Sequence, residues 1–258
     1  MPPVLFAVEN NIGFITLNRP ARLNSFNREM ALLLQDLLDE CATRADVRCV
    51  YLTGEGKGFS AGQDLEEIVG PNSPGMARIL SEHYNPIITK ITGMPKPVIA
   101  AVNGVAAGAG ANIALCCDVV VAAQSAVFLQ AFSKIGLIPD SGGTFTIPRL
   151  IGWQKASALM MLGDKISAAE AERLGMVYKV FDDSEFEQQA KTIAATLAAL
   201  PTKGLALTKK ALQLSYTNNL QQQLAIEDEL QQQAADSYDF KEGVRAFLEK
   251  RKPVFKGE

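Results

Sequence analysis

The chain opens on alternating apolar and polar positions, Val4–Val8 and Ile12–Leu17, with Asn10–Asn11 between them. Period-two alternation around a turn-forming pair predicts two strands joined as a hairpin. Beyond Asn18–Arg19–Pro20, apolar residues recur at three- and four-residue intervals from about Asn27 to Thr43, which predicts an amphipathic helix. A strand-like run, Val47–Leu52, follows and is closed by Gly54. The succession then returns. Pro97–Val102 reads as a strand, Gly108–Cys116 as a short helix, Val119–Ala122 and Val127–Gln130 as strands, and Gly142–Ile151 as a helix. Strand, turn and helix in repetition predict an α/β core with largely parallel sheets.

From Ser167 the pattern changes to a brief strand at Met176–Val180 and then long helical stretches punctuated by Pro201 and Pro253. The expected division is a core at residues 1–200 and a helical region at 201–258 that covers the core or a partner subunit. Gln221–Gln223 and Gln231–Gln233, beside Leu220, Leu224 and Leu230, read as a solvated helix face. The most membrane-like run, Val105–Ala123, is broken by Gly108, Gly110, Asn112 and Asp118, so a buried helix followed by a strand is expected in place of a span.

Composition narrows the function. Of 258 residues, 48% are hydrophobic and 21% charged, with a net charge of −3. That balance argues against nucleic acid as a partner, and any anion site must be local. Cys41, Cys49, Cys116 and Cys117 have neither metal-ligand nor disulfide-framework spacing, and MPPVLFAVEN lacks a basic segment leading into a long apolar run. A cytoplasmic protein is the simplest expectation. His83, the one histidine, argues against metal sites built on several histidines and against a Ser-His-Asp triad, and reads as a surface or packing residue.

Three glycine-marked loops lead toward helices: Gly58–Leu65, Asn103–Asn112 and Ile138–Thr144. A helix start offers N–H groups without intrahelical partners and a favourable dipole, so it attracts developing negative charge, and two such loops suffice for an oxyanion hole. A dinucleotide fingerprint fails, because Gly108-x-Gly110 continues to Ile113. Asp140, just before Ser141–Gly142–Gly143, is either a helix cap or a base. Asp64, with Glu67 three residues on, has the spacing of a capping box.

Taken in order, Asn18–Arg19–Pro20 with Asn24, FSAGQDL, PKPVIAAVNGVAAGAGANIALCCD, GLIPDSGGT and EGVRAFLEKRKPVF resemble the crotonase (enoyl-CoA hydratase/isomerase) family over essentially the whole chain. FSAGQDL, HYNP and AFSKIGLIPDSGG are most similar to its isomerases of bacterial phenylacetate catabolism. The resemblance implies an α/β spiral of ββα units with a C-terminal helical region, assembled as a homotrimer or hexamer. It implies that the backbone N–H groups of Gln63 and Ala109 hold a thioester oxygen and that Asp140 is the catalytic acid/base. Arg22, Leu23, Ala61, Asp64, Leu65, Asn112 and Phe132 fall at substrate-binding positions, and Phe247 and Lys250 at positions that meet the adenine end of coenzyme A, often in a neighbouring subunit. Hydratases of the family carry two glutamates where this chain has Asn112 and Phe132.

The implied activity is therefore acyl-CoA isomerisation through an enolate, with the ring epoxide of phenylacetyl-CoA or a 3-enoyl-CoA as substrate. Coenzyme A belongs to the substrate, and no metal or redox cofactor is implied. The alternatives are an enoyl-CoA hydratase, a dehalogenase-like enzyme, which would want a histidine and a tryptophan where Asn85 and Phe132 stand, and a non-catalytic acyl-CoA-binding protein on the same fold. The acyl pocket is expected among Phe132, Ile138 and the segment Val69–Met76.

Overall fold

The structure is a computed structural model that describes residues 1–70 and 73–258; Pro71 and Asn72, within the segment expected to border the acyl pocket, lie outside the described residues. β1 (Val4–Glu9) and β2 (Ile12–Leu17) form the antiparallel hairpin. Its turn holds Asn10 and Asn11 at φ 51° and 62°. Asparagine tolerates this left-handed backbone, and it gives a two-residue turn the twist of its strands. α1 (Arg28–Thr43) starts where Asn27 accepts the Met30 N–H at 3.0 Å, and it buries Met30, Leu34, Leu37, Leu38 and Cys41 along one stripe.

The chain continues through β3 (Cys49–Gly54), β4 (Gly58–Ser60), α2 (Leu65–Val69), α3 (Met76–Arg78) and α4 (Asn85–Gly93). Next come β5 (Val98–Val102), β6 (Val105–Ala107), α5 (Ala109–Leu115), β7 (Val119–Ala123), β8 (Val127–Leu129), α6 (Gly143–Ile151) and α7 (Trp153–Leu162). It closes with β9 (Lys165–Ser167), α8 (Ala168–Leu174), β10 (Lys179–Phe181), α9 (Phe186–Ala199), α10 (Thr202–Leu214), α11 (Leu220–Ala235) and α12 (Tyr238–Leu248). One sheet has the order β1-β2-β3-β5-β7-β10 and is parallel after the hairpin; the other has the order β4-β6-β8-β9 and is parallel except at β9.

The orders encode a spiral. β3–β4, β5–β6 and β7–β8 each place one strand in each sheet before the chain passes into helices. Apolar residues fill β3, β5 and β7 because helices or the second sheet cover both faces. β4, β6 and β8 are parallel neighbours, so the loops that leave them emerge at one end of the small sheet.

The helices after Pro201 are anchored by specific polar contacts. Lys209 of α10 donates to the Ile91 carbonyl at 2.7 Å and to Asp118 at 2.8 Å, and Asp118 also accepts the Val98 N–H at 2.8 Å. Beyond α12 the last residues fold back. The buried Asp239 accepts the N–H groups of Lys256 and Gly257 at 2.7 and 2.8 Å, and the buried Glu242 accepts that of Val254 at 3.0 Å. Arg48, just ahead of β3, binds the carbonyls of Leu200 and Phe255 at 2.6 and 2.8 Å.

Some sequence expectations shift. The strand expected at Met176–Val180 lies at Lys179–Phe181, because Met176 and Val177 are buried in the turn that leads into it. Val105–Ala123 is β6, α5 and β7 in succession, and no described helix is long and apolar enough to cross a membrane. Gln223 departs from a purely solvated face: its amide donates to the Ala211 carbonyl at 3.1 Å and so ties α11 to α10.

Candidate active site

The first loop leaves β4 and meets Phe26. The Phe26 N–H donates to Gly62 O at 2.7 Å, and the Asp64 N–H to Phe26 O at 2.8 Å. In such a parallel bridge the residue between the two bonds directs its own N–H to the opposite side, which leaves the Gln63 N–H without an acceptor among the described residues. Gly62, at φ 83°, has no room for a side chain: a Cβ there would lie 2.8 Å from Ala107 O and 3.3 Å from Ala109 N. The first loop therefore rides directly on the second. The second turns at Gly108 (φ 52°, ψ −127°), a backbone region closed to residues with side chains, and Ala109 follows as the first residue of α5. Its N–H has no intrahelical partner. The fold thus sets two main-chain donors, Gln63 and Ala109, on adjoining loops.

The third loop brings Asp140 to the same place. The Asp140 carbonyl accepts the Gly143 N–H at 2.9 Å and the Asn112 amide at 2.8 Å, and Asn112 belongs to the helix that Ala109 opens. The capping role read from the sequence falls to this carbonyl. The carboxylate does not cap α6, whose start is shaped by Ser141 and Gly142 in left-handed conformations (φ 50° and 73°). Its side-chain partner is the Ser141 hydroxyl, which donates at 2.8 Å. Burial pushes the Asp140 carboxyl above its ordinary value, against the opposing pull of that hydroxyl.

The neighbouring carboxylates are occupied. Asp64 pairs with Arg19 at 2.9 Å and accepts the Glu66 N–H at 3.2 Å. The expected capping box does not close, because Glu67 is drawn to the start of α1, where it accepts the Arg28 N–H, and to the Gln63 amide, both at 2.8 Å. Glu66 holds Arg22 through two bonds at 2.7 and 3.0 Å. Among the described residues Asp140, unlike Asp64 and Glu66, has no cation paired with its carboxylate, and unlike Glu67 it takes no backbone or amide N–H from a neighbouring element.

The other expected residues divide into two groups. Leu23 (φ 46°) accepts the Ala61 N–H at 2.9 Å, and with Leu65, half exposed at the start of α2, it flanks the first loop. Phe132 packs across the second loop, with its ring 3.6 Å from where a Gly108 side chain would begin. Asn112 is fully buried, and its oxygen accepts from Gln130 at 2.8 Å, so it braces the Asp140 peptide from beneath. Phe247 and Lys250 stand apart. Phe247 is 82% exposed and lines a cavity of about 460 Å³ with Phe240, Val244, Leu248 and Phe255, bordered by none of Gln63, Ala109 or Asp140. Lys250 follows α12 at φ 54°. His83 is fully buried, so its packing role stands and its surface alternative does not. Two residues escape the sequence reading: Tyr84, whose hydroxyl donates to the Gln63 side chain at 2.9 Å, and Ser141. An apolar helical context hides the tyrosine as core.

The spiral and these three converging loops define an acyl-CoA hydratase/isomerase architecture, and the family pattern of enoyl-CoA hydratase/isomerase matches residues 7–258. The chain belongs to this family of enzymes. It is 47% identical to the 1,2-epoxyphenylacetyl-CoA isomerase of Escherichia coli, over 99% of this chain and 98% of that one. It is 43% identical, over 98% of each, to a Rhodobacter capsulatus protein named "Probable enoyl-CoA hydratase". The crystal structure of an enoyl-CoA hydratase from Bacillus anthracis superposes with a TM-score of 0.93 at 34% identity, covering 99% of this chain and 100% of that one.

Proposed function

We propose that the chain is an acyl-CoA isomerase in which the N–H groups of Gln63 and Ala109 form an oxyanion hole and Asp140 moves the proton. The carrying observation is that Asp140, tied through Asn112 to the helix that Ala109 opens, is a partly buried carboxylate with a raised pKa and no cation paired with it among the described residues. With a 3-enoyl-CoA, the carboxylate takes a proton from the carbon beside the carbonyl. The electron pair delocalises onto the thioester oxygen between the two N–H groups, and the proton returns to the far carbon as the double bond moves to position 2. One preorganised donor of this kind contributes about 3–4 kcal/mol to the transition state. Likeness to the 1,2-epoxyphenylacetyl-CoA isomerase supports the ring epoxide as the natural substrate and an oxepin thioester as product.

Hydration is the competing reading, since relatives bear that name. It needs a second positioned acid or base, and Asn112 and Phe132 supply neither. Crotonyl-CoA hydration is therefore expected to run slower than isomerisation of a 3-enoyl-CoA; hydration that equals or exceeds it would reverse the assignment. The direct test is Asp140→Asn, which keeps the shape and the Ser141 contact but loses the base. Isomerisation should fall about 10²–10⁴-fold with acyl-CoA affinity retained, and near-normal turnover would remove Asp140 from the mechanism. Phe247 and Lys250, remote from Asp140 within one chain, are proposed to meet the nucleotide end of coenzyme A across a subunit boundary in a trimer or hexamer.

A further inference from the structure

The Gln63 peptide is held by more than its own loop. Between α3 and α4 the chain makes a π-helical turn, Ile79–Tyr84, which ends on a tyrosine with no exposed surface. The Tyr84 hydroxyl donates to Gln63 Oε1 at 2.9 Å, and Gln63 Nε2 donates to Glu67 Oε2 at 2.8 Å. Glu67 is fixed in turn by the Arg28 N–H at the start of α1. The Tyr84 ring stands edge-on to Phe26 with centroids 5.8 Å apart, and Phe26 is the residue whose N–H and carbonyl bracket Gln63. One side chain therefore grips Gln63 twice, through its amide and through the backbone bridge. Both ends of the Gln63 amide are engaged inside the protein, which leaves the residue's main-chain N–H as what it offers outward.

We infer that Tyr84 is a positioning residue for the isomerisation: acting through Gln63, it fixes the direction of the N–H that receives the enolate oxygen. The inference rests on the oxyanion-hole reading above. Fully buried, Tyr84 does not touch substrate. An oxyanion donor contributes in proportion to how closely it is aimed at the place where charge develops, so releasing its anchor should lower turnover more than binding.

The test compares Tyr84→Phe, Gln63→Met and the double variant on a 3-enoyl-CoA, with rates normalised to folded protein by thermal unfolding and with Asp140→Asn alongside. Tyr84→Phe should lower kcat about tenfold while KM changes by less than about twofold. Gln63→Met should do the same, and the double variant should lose no more than the worse single one, because both break the same link. A full kcat in Tyr84→Phe, or losses that multiply, would overturn the inference. If Tyr84→Phe does not fold, Gln63→Met decides alone, and normal turnover there overturns it. Loss of activity in Asp140→Asn with full activity in the other variants sinks only this inference. A wild-type enzyme without isomerase activity, or an active Asp140→Asn, sinks the reading beneath it and this inference with it.

Discussion

Asp140 owes its proposed reactivity to where its charge is placed. Burial raises its pKa, so the folded chain holds the proton more tightly than the unfolded chain does. The penalty for charging it is absent below the unfolded value, about 3.9, and grows as the pH rises through the folded one. Two outcomes follow for the residue. The acid limb of kcat/KM should have its midpoint above the ordinary carboxylate range, and a pH-rate profile with the limb at or below that range would contradict it. Asp140→Asn, which removes the penalty, should melt at pH 7 no lower than the parent. A decline of several degrees in a thermal scan would mean the carboxylate is stabilising. Asp140, Gln63 and Ala109 were candidates through the family resemblance that the loop motifs carry. What the sequence left open was the part each atom plays: the spacing before Gly142 left the carboxylate as either a cap or a base, whereas the carbonyl does the capping and frees the side chain. Asn112 was equally ambiguous, since a polar residue in an apolar helix faces either a ligand or a buried partner, and only packing decides between Gln130 and open space.

At the scale of elements, α5 depends on Gly108. Its backbone conformation excludes side chains and turns the next peptide so that Ala109 begins a helix. Gly108→Ala should cost about 1–3 kcal/mol of stability, read by urea unfolding, and should reduce isomerisation beyond that loss as the Ala109 N–H swings away; unchanged stability and turnover would show that the turn relaxes freely. Long, strongly patterned elements such as α1, β3, β5 and β7 were readable in advance. β4, β6 and β9 were not, because three residues carry too little alternation to distinguish a strand from a loop, and their pairing with neighbours creates them. The π-helical turn before α4 was hidden for a related reason: its extra residue per turn breaks the period that marks a helix.

Across the whole molecule, Lys209 links α10 to the sheet through a largely buried ion pair. Lys209→Met would leave Asp118, already pushed upward by burial, without its counter-charge. Breaking such a pair typically costs about 3 kcal/mol or more, so the urea midpoint should drop clearly and recover in part when Asp118→Asn is added; an unmoved midpoint would make the contact incidental. Leu220, Leu224, Phe240, Val244, Phe247 and Leu248 stand exposed on α11 and α12. Sedimentation at micromolar concentration is accordingly expected to give trimers or hexamers, and a fully active monomer would defeat that. The spiral itself carries one more consequence. Because β4 and β6 are adjacent rungs of one parallel ladder, the loops bearing Gln63 and Ala109 start from points set apart by the strand spacing, about 4.8 Å, while the chain leaving the next rung, β8, reaches Asp140 after a short 3-10 turn at Ala131–Ile135. The ruler is thus the hydrogen-bonded backbone, common to every chain with this winding. The chemical identity of any one rung can then be exchanged without recalibrating the others, so a single gauge can serve many reactions.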